Sequence, residues 1–381
     1  MSGRLRQMRP VYVVGIGLHR YQRLSGTPYT ELGLTAVREA LGDAGIAWPE
    51  VQSVFTGTGR LGMAPTRVML RHLGVTGIPM TQVENASASG STAFRLAVND
   101  VAAGFSDVSL ALGVDKPYPR TRAPYGVGQL SENRVAPFTH FALLAEEYMR
   151  TYGVSREQIA RVALKNHANG ATNANAQRRR ARTLDEILDD EPIAGFFGRL
   201  QCCPIGEGAA AVILASEEAV ARLGLDLRRG VRVLAATQRS EVLYGDKNFD
   251  AELTRTTSAA AFDEAEVAPS SIDIVEVHDA FSVEELLYLE SMGIAEEGQA
   301  ALALERGEFD IGGRVAVSPS GGLLAMGHPI GPTGVGQVAE ITRQLRGEAG
   351  ERQHPGATTG LAHMVGVGAV CVVSILQRAQ T

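Results

Sequence analysis

The chain has 381 residues, 45% of them hydrophobic and 20% charged, with a formal net charge of −6. That length can bury a core for two domains or one duplicated fold, and the acidic balance argues against a nucleic-acid or membrane-surface protein. No apolar run reaches the roughly 20 residues that span a bilayer, and the N-terminus lacks the apolar core and cleavage site of a signal peptide. The three cysteines, adjacent Cys202 and Cys203 with Cys371 apart, form neither a disulfide framework nor a C-x-x-C zinc spacing, which points to a reducing cytoplasm.

Short Val-, Ile- and Leu-rich runs alternate with helical patterns, as in an α/β layering. Residues 11–17 predict a strand, 30–44 an amphipathic helix and 51–56 the next strand. From Gly90 the spacing of Ala93, Leu96, Ala97 and Val101 predicts a helix that begins against Ser87 and Ser89. Residues 108–113 and 209–215 predict two further strands. At Val231 the order starts again: 231–237 matches 11–17, and helix 257–266 with strand 272–277 matches the first helix and the strand after it. Residues 331–345 match the turn and helix at 87–102, and 369–375 close the chain as a buried strand. We therefore expect a duplication, 1–230 and 231–381, interrupted at about 116–200 by an insertion richer in Arg, Asn and Pro.

Three segments carry chemistry. Gly327-His328-Pro329-Ile330-Gly331 turns sharply into a helix whose first N–H groups are open, so a histidine held there can donate to an oxyanion. A tight turn with a satisfied histidine is the bland alternative. His278 follows strand 272–277, at the strand end where α/β sites form, and reads as a capping residue or as a second donor. His363, ahead of the last strand, offers a third imidazole, the group suited to proton transfer near neutral pH. Ser87 precedes a helix, where a cysteine would be a ready nucleophile. A serine is far poorer without a base, and Ser87 or Ser89 as a helix N-cap is the alternative.

Together these residues resemble the thiolase superfamily over essentially the whole chain, most of all the sterol carrier protein X-type and archaeal-type thiolases, often named lipid-transfer proteins. His278-Asp279-Ala280-Phe281 is similar to their His-Asp-x-Phe loop and Gly327-His328-Pro329 to their Gly-His-Pro loop. His363-Met364-Val365-Gly366 is similar to their His-Asn-x-Gly, with Met364 a departure. The run from Leu200 to Pro204 and the run from Gly206 to Ala211 look like the phrase that closes the first half. The resemblance implies an α/β thiolase fold, five-layered α-β-α-β-α from two similar halves, with the insertion as a loop domain over an acyl-CoA. It also implies a homodimer or dimer of dimers with no metal and no bound cofactor, coenzyme A entering as part of the substrate. Ser87, His278, His328 and His363 are then the catalytic candidates. Arg178, Arg179, Arg182, Gly331 and Gly366 are candidates for holding substrate or CoA, a solvated helix face being the other reading of the arginines.

The family's acyl-accepting cysteine falls at Ser87, and the cysteine that some members carry in a His-Asp-Cys-Phe loop falls at Ala280. Thiolysis through a covalent acyl-enzyme is therefore in question. The remaining groups suit carbon–carbon bond chemistry by enolate stabilisation, such as retro-aldol release of an acyl-CoA from a β-hydroxyacyl-CoA. The resemblance implies that cysteine-lacking relatives do this in steroid side-chain degradation, with a small OB-fold, zinc-ribbon partner, although they depart at the Gly-His-Pro loop intact here. Tyr244 or Tyr288 is a further proton-donor candidate. The alternatives are acyl transfer through Ser87 with His363 or His328 as base, a non-catalytic acyl-CoA-binding subunit, and a Cys-to-Ser variant of an ordinary thiolase.

Overall fold

Ten strands form one hydrogen-bonded sheet in the computed structural model, which describes residues 5–117, 137–245, 247–366 and 370–379. The first half supplies β1 (Val11–Gln22), β2 (Ser53–Gly57), β3 (Met80–Val83), β4 (Val108–Asp115), the hairpin β5 (Pro192–Ala194) and β6 (Phe197–Gly198), and β7 (Glu207–Ser216). The second supplies β8 (Val231–Ser240), β9 (Ile274–Glu276), β10 (Ala316–Val317), β11 (Thr359–Gly366) and β12 (Val370–Arg378). The order is β10-β9-β11-β12-β8-β1-β7-β4-β2-β3, with β5 and β6 in a separate pair. Counted outward from the centre, β1 answers β8, β7 answers β12, β4 answers β11, β2 answers β9 and β3 answers β10. Tyr12 with Arg232 and Val13 with Val231 make the seam between the halves. In each half the outer strands pair parallel and the inner ones antiparallel.

The strands are apolar on both faces because both faces are covered, as the near-continuous burial of β4 and β7 shows. Helix Tyr29–Ala44 covers β1 and β7 from outside, and helix Phe249–Ala265 covers β8 and β12. Helices Ser89–Ala102 and Ile330–Arg346 pack on each other and against strands of both halves, which makes them the middle of five layers. Boundaries differ from expectation where local chemistry intervenes. A turn at Trp48–Glu50 delays β2 to Ser53, and the Asn248 side chain accepts the Ala251 N–H and starts its helix at Phe249 rather than near 257. Residues 1–4, 118–136 of the insertion and Ala369 lie outside the described residues.

The insertion supplies helices Pro137–Tyr152 and Arg156–Ala171, which pack on second-half helices Ser282–Ser291 and, for the latter, Gly322–Ala325, and the short helix Leu184–Leu188, which packs on Arg156–Ala171. A buried polar network fastens it there. Lys165 Nζ reaches Glu285 at 3.1 Å and donates to the Val317 carbonyl at 2.7 Å, while Asn166 Nδ2 donates to Asp279 at 2.7 Å and Glu285 at 2.9 Å. Such a network is stable only when every member is satisfied.

One contact places the two site turns side by side. A Cβ on Gly331 would lie 2.6 Å from the Gly57 carbonyl oxygen, one on Gly90 2.3 Å from the Gly331 carbonyl oxygen, and one on Gly113 2.4 Å from Pro332 Cα. Only glycines let these backbones meet. Asp115, at the end of β4, locks the join: its carboxylate accepts from the N–H groups of Gly331 at 2.7 Å, Gly59 at 2.9 Å and Arg60 at 2.9 Å, and from the Thr58 hydroxyl at 2.9 Å. Asp115→Ala leaves four donors without this acceptor. Chemical denaturation of that variant should show a loss of about 3 kcal/mol, and a loss below about 1 kcal/mol would contradict this account.

Candidate active site

Ser87 sits in a strained turn. Between β3 and helix Ser89–Ala102, Ala86 takes φ +50°, the left-handed region that costs a non-glycine residue of order 1 kcal/mol or more. Ser89 holds the turn in place, its Oγ accepting the Asn85 N–H at 2.9 Å and donating to the Ala86 carbonyl at 2.6 Å. Gly366, at the end of β11, supports it from below, where a Cβ would meet the Asn85 carbonyl oxygen at 2.3 Å. The N-cap position belongs to Ala88, with no side-chain bond, so neither serine caps the helix. Ser87 instead points its hydroxyl across the site, 2.9 Å from His328 Nε2.

The His328 tautomer follows from its other neighbour. Thr333, one helical turn on, donates its hydroxyl proton to the Pro329 carbonyl at 2.5 Å. Its oxygen is then an acceptor for His328 Nδ1–H at 2.9 Å. The ring therefore carries its proton on Nδ1 and offers a lone pair on Nε2 to the Ser87 hydroxyl. Burial, then the nearby His278 and Arg60, hold its pKa well below the ordinary histidine value, so the ring is neutral.

His278 comes from the end of β9, its ring centroid 5.6 Å from that of His328 and the planes nearly perpendicular at 85°. Its Nδ1 lies 3.0 Å from Glu284 Oε1. The same buried carboxylate accepts the Phe281 N–H at 2.8 Å and the Tyr288 hydroxyl at 3.1 Å. His278 Nε2 is buried and without a hydrogen-bond partner among the described residues. A buried nitrogen without a partner is costly to keep.

The other sequence candidates fall elsewhere. His363 lies within β11 rather than in a turn, its Nε2 3.1 Å from the Thr254 hydroxyl and its Nδ1 accepting the His278 backbone N–H at 3.5 Å. It backs His278 instead of facing Ser87. Gly331 gives its N–H to Asp115, so this amide in the first turn of its helix is not open to a substrate anion. Arg178 donates to the carbonyls of Cys202, Leu324 and Arg199, each at 2.9 Å, which ties the guanidinium to the fold. Arg182 pairs with Glu186 at 3.6 Å, and Arg179 is exposed on an extended segment, not a helix face. Tyr288 turns to Glu284, and Tyr244 lies against Phe249. The Cys203 N–H donates to the Ala280 carbonyl, and burial pushes its thiol up to about 12. No cluster of three or more metal-ligating side chains occurs among the described residues.

Sequence reasoning missed Glu284 and Thr333. Each has a signal: Glu284 stands in the first turn of the helix after Phe281, where carboxylates take backbone N–H groups, and Thr333 lies within a helical turn of Pro329. Neither pattern says which imidazole it will meet.

Burial also lowers the pKa of His167 to about 4 and of His363 to about 3. The unfolded chain takes up these protons below about pH 6.5, whereas the folded chain does not until much lower pH. Their contribution is thus complete above that value and declines as pH falls toward 4, by about 1.4 kcal/mol per pH unit for each ring. Buried Glu276, its pKa pushed up to about 8, works in the opposite direction over this range, so the comparison isolates one ring: the urea stability of the wild type minus that of His363→Asn should shrink between about pH 7 and about pH 5. A difference that does not change with pH would rule out a neutral buried His363.

Two family models match the chain: the thiolase N-terminal domain over residues 12–184 and the thiolase C-terminal domain-like family over residues 235–378. Sterol carrier protein 2 of Oryctolagus cuniculus is 34% identical over 408 residues, covering 98% of this chain and 74% of the relative. Acetyl-CoA acetyltransferase of Methanothermobacter thermautotrophicus is 35% identical over 385 residues, covering 97% and 100%. Among solved structures, the Ltp2-ChsH2(DUF35) aldolase superposes with a TM-score of 0.87 at 23% identity over 98% of this chain and 99% of that one, a likeness of fold. Two matched halves, relatives identical at a third of positions across nearly the full length, and paired imidazoles in a fold whose large sheet has mirrored halves lead to one conclusion: the chain belongs to the thiolase superfamily, on its sterol carrier protein X-type branch.

Proposed function

We propose that this enzyme breaks or makes a carbon–carbon bond beside an acyl-CoA thioester through an enolate, in the form of retro-aldol cleavage of a β-hydroxyacyl-CoA. The observation that carries the reading is the buried His278 Nε2, without a partner among the described residues, on a ring 5.6 Å from that of His328. With Nδ1–H given to Glu284, that nitrogen offers a lone pair to the substrate hydroxyl. The hydroxyl proton passes to Nε2, the oxygen becomes a carbonyl, and the Cα–Cβ bond breaks. Its electron pair moves onto the thioester as an enolate, whose oxygen can accept the Ser87 hydroxyl proton once that hydroxyl turns from His328 Nε2. Return of the proton from His278 to Cα releases the acyl-CoA. Nothing in this sequence needs a thiolate, which fits a hydroxyl at position 87.

A second reading rests on a different observation. Ser87 Oγ at 2.9 Å from a neutral His328 Nε2, with Thr333 fixing the tautomer, is also a nucleophile–base arrangement for acyl transfer. The reading further takes in a homodimer, CoA phosphates met by the exposed Arg179, and a small OB-fold, zinc-ribbon partner.

Mass spectrometry of the purified enzyme with a β-hydroxyacyl-CoA should show a shortened acyl-CoA and a carbonyl co-product, with the Ser87 peptide unmodified. His278→Ala should lower kcat by about 10²- to 10⁴-fold. An acyl ester on Ser87, formed as free CoA appears, would replace this reading with the second.

A further inference from the structure

The rings of His278 and His328 lie 5.6 Å apart, and only His278 has a carboxylate behind it. We infer that Glu284 is the charge partner that makes His278, and not His328, the proton-accepting group, an inference resting on the enolate reading above. Glu284 does not face the substrate; it is a positioning residue that acts through the ring.

The argument starts from what each imidazole has behind it. His328 Nδ1 is backed by the Thr333 hydroxyl, a neutral dipole whose own proton is committed to the Pro329 carbonyl. A second proton on that ring would create an uncompensated charge in the interior. His278 Nδ1 is backed at 3.0 Å by a carboxylate with no solvent exposure. When Nε2 takes a proton, the new charge forms against an existing opposite one, and the pair becomes neutral overall.

Three donors converge on that carboxylate from three directions: His278 Nδ1–H, the Tyr288 hydroxyl and the Phe281 N–H. Accepting from all of them suits the ionised form, and so does its place in the first turn of helix Ser282–Ser291. Titratable groups surround the ring and its carboxylate from several elements, His140, Cys202 and Cys203 each interacting electrostatically with Glu284. Helix Ser282–Ser291 presents Glu284 and Tyr288, the Gly327-His328 turn presents His328, and β11 presents His363, which is neutral. The adjacent Asp279 turns away, accepting from Asn166 at 2.7 Å and from the Leu323 N–H at 2.7 Å. The neighbouring Glu285 also turns away, to Lys165 and Asn166. Consecutive glutamates thus divide the work, one anchoring the insertion and one facing the imidazole.

The test pairs Glu284→Gln with Tyr288→Phe and Thr333→Val. Glu284→Gln keeps the volume and one acceptor oxygen but removes the charge, so the ring protonates less readily. The acid-side limb of kcat against pH should move down by about one pH unit or more, with kcat lowered about 100-fold and KM within about threefold. Tyr288→Phe leaves more negative charge for the ring and should move the limb the opposite way, by less. Thr333→Val should leave the limb where it is. One-dimensional proton NMR without substrate supplies a readout independent of turnover: a far-downfield imidazole N–H resonance, absent in Glu284→Gln and present in Ser87→Ala. If Thr333→Val moves the limb and the Glu284 and Tyr288 variants do not, His328 is the base and the inference is overturned. Loss of the downfield resonance in Glu284→Gln, in an enzyme that cleaves no β-hydroxyacyl-CoA, would uphold the pairing and refute the retro-aldol reading. Cleavage with resonance and limb unmoved by Glu284→Gln would refute the inference alone.

Discussion

The site exists because two helix starts can touch. Gly331 meets Gly57, Gly90 and Gly113 with no room for a side chain, and the Asp115 carboxylate gathers the amides around the join. A methyl group at any of these glycines would push the His328 turn away from the Ser87 turn by more than a hydrogen bond tolerates. The anion that a helix N-terminus invites is here a residue of the protein itself. The side chains of Ser87 and His328 therefore owe their 2.9 Å separation to a backbone contact neither residue makes.

Burial then sorts the imidazoles by partner. All three site histidines are buried, but each Nδ1 meets something different: a hydroxyl for His328, a carboxylate for His278, and a backbone N–H for His363. In a medium of low polarizability those partners decide which ring can hold a second proton, because charge without a counter-charge is expensive there. The result is a division between a ring that accepts from Ser87 and a ring backed by a carboxylate. His363, behind both, keeps the His278 backbone in position.

The insertion and the second half depend on each other for a related reason. Lys165 and Asn166 reach from the insertion to Asp279 and Glu285, which flank the His278 loop on either side of Phe281. Phe281 itself stacks on Phe141 of the insertion at a centroid distance of 4.7 Å. A displacement of the covering helices would thus reach His278 through buried polar contacts that cannot be left half made.

Much of this was legible in the sequence. Periodicity of 2 and 3.6 gave the strands and helices, and their recurring order gave the mirrored halves of the sheet, because those patterns are local and set by which face is buried. The turns bearing Ser87, His278 and His328 were legible as well, since glycine, proline and a following helix leave a composition of their own. Glu284 and Thr333 were not, nor was the turning of His363 toward Thr254, the use of the Gly331 amide by Asp115, or the tying of Arg178 to three carbonyls. Each of those is a pairing across long chain separations or a choice between neighbouring acceptors, and a sequence pattern fixes which face a side chain leaves from, not which atom it meets. The chain order alone thus determined the elements and the residue types that reach the site; packing in three dimensions decided which imidazole faces a carboxylate.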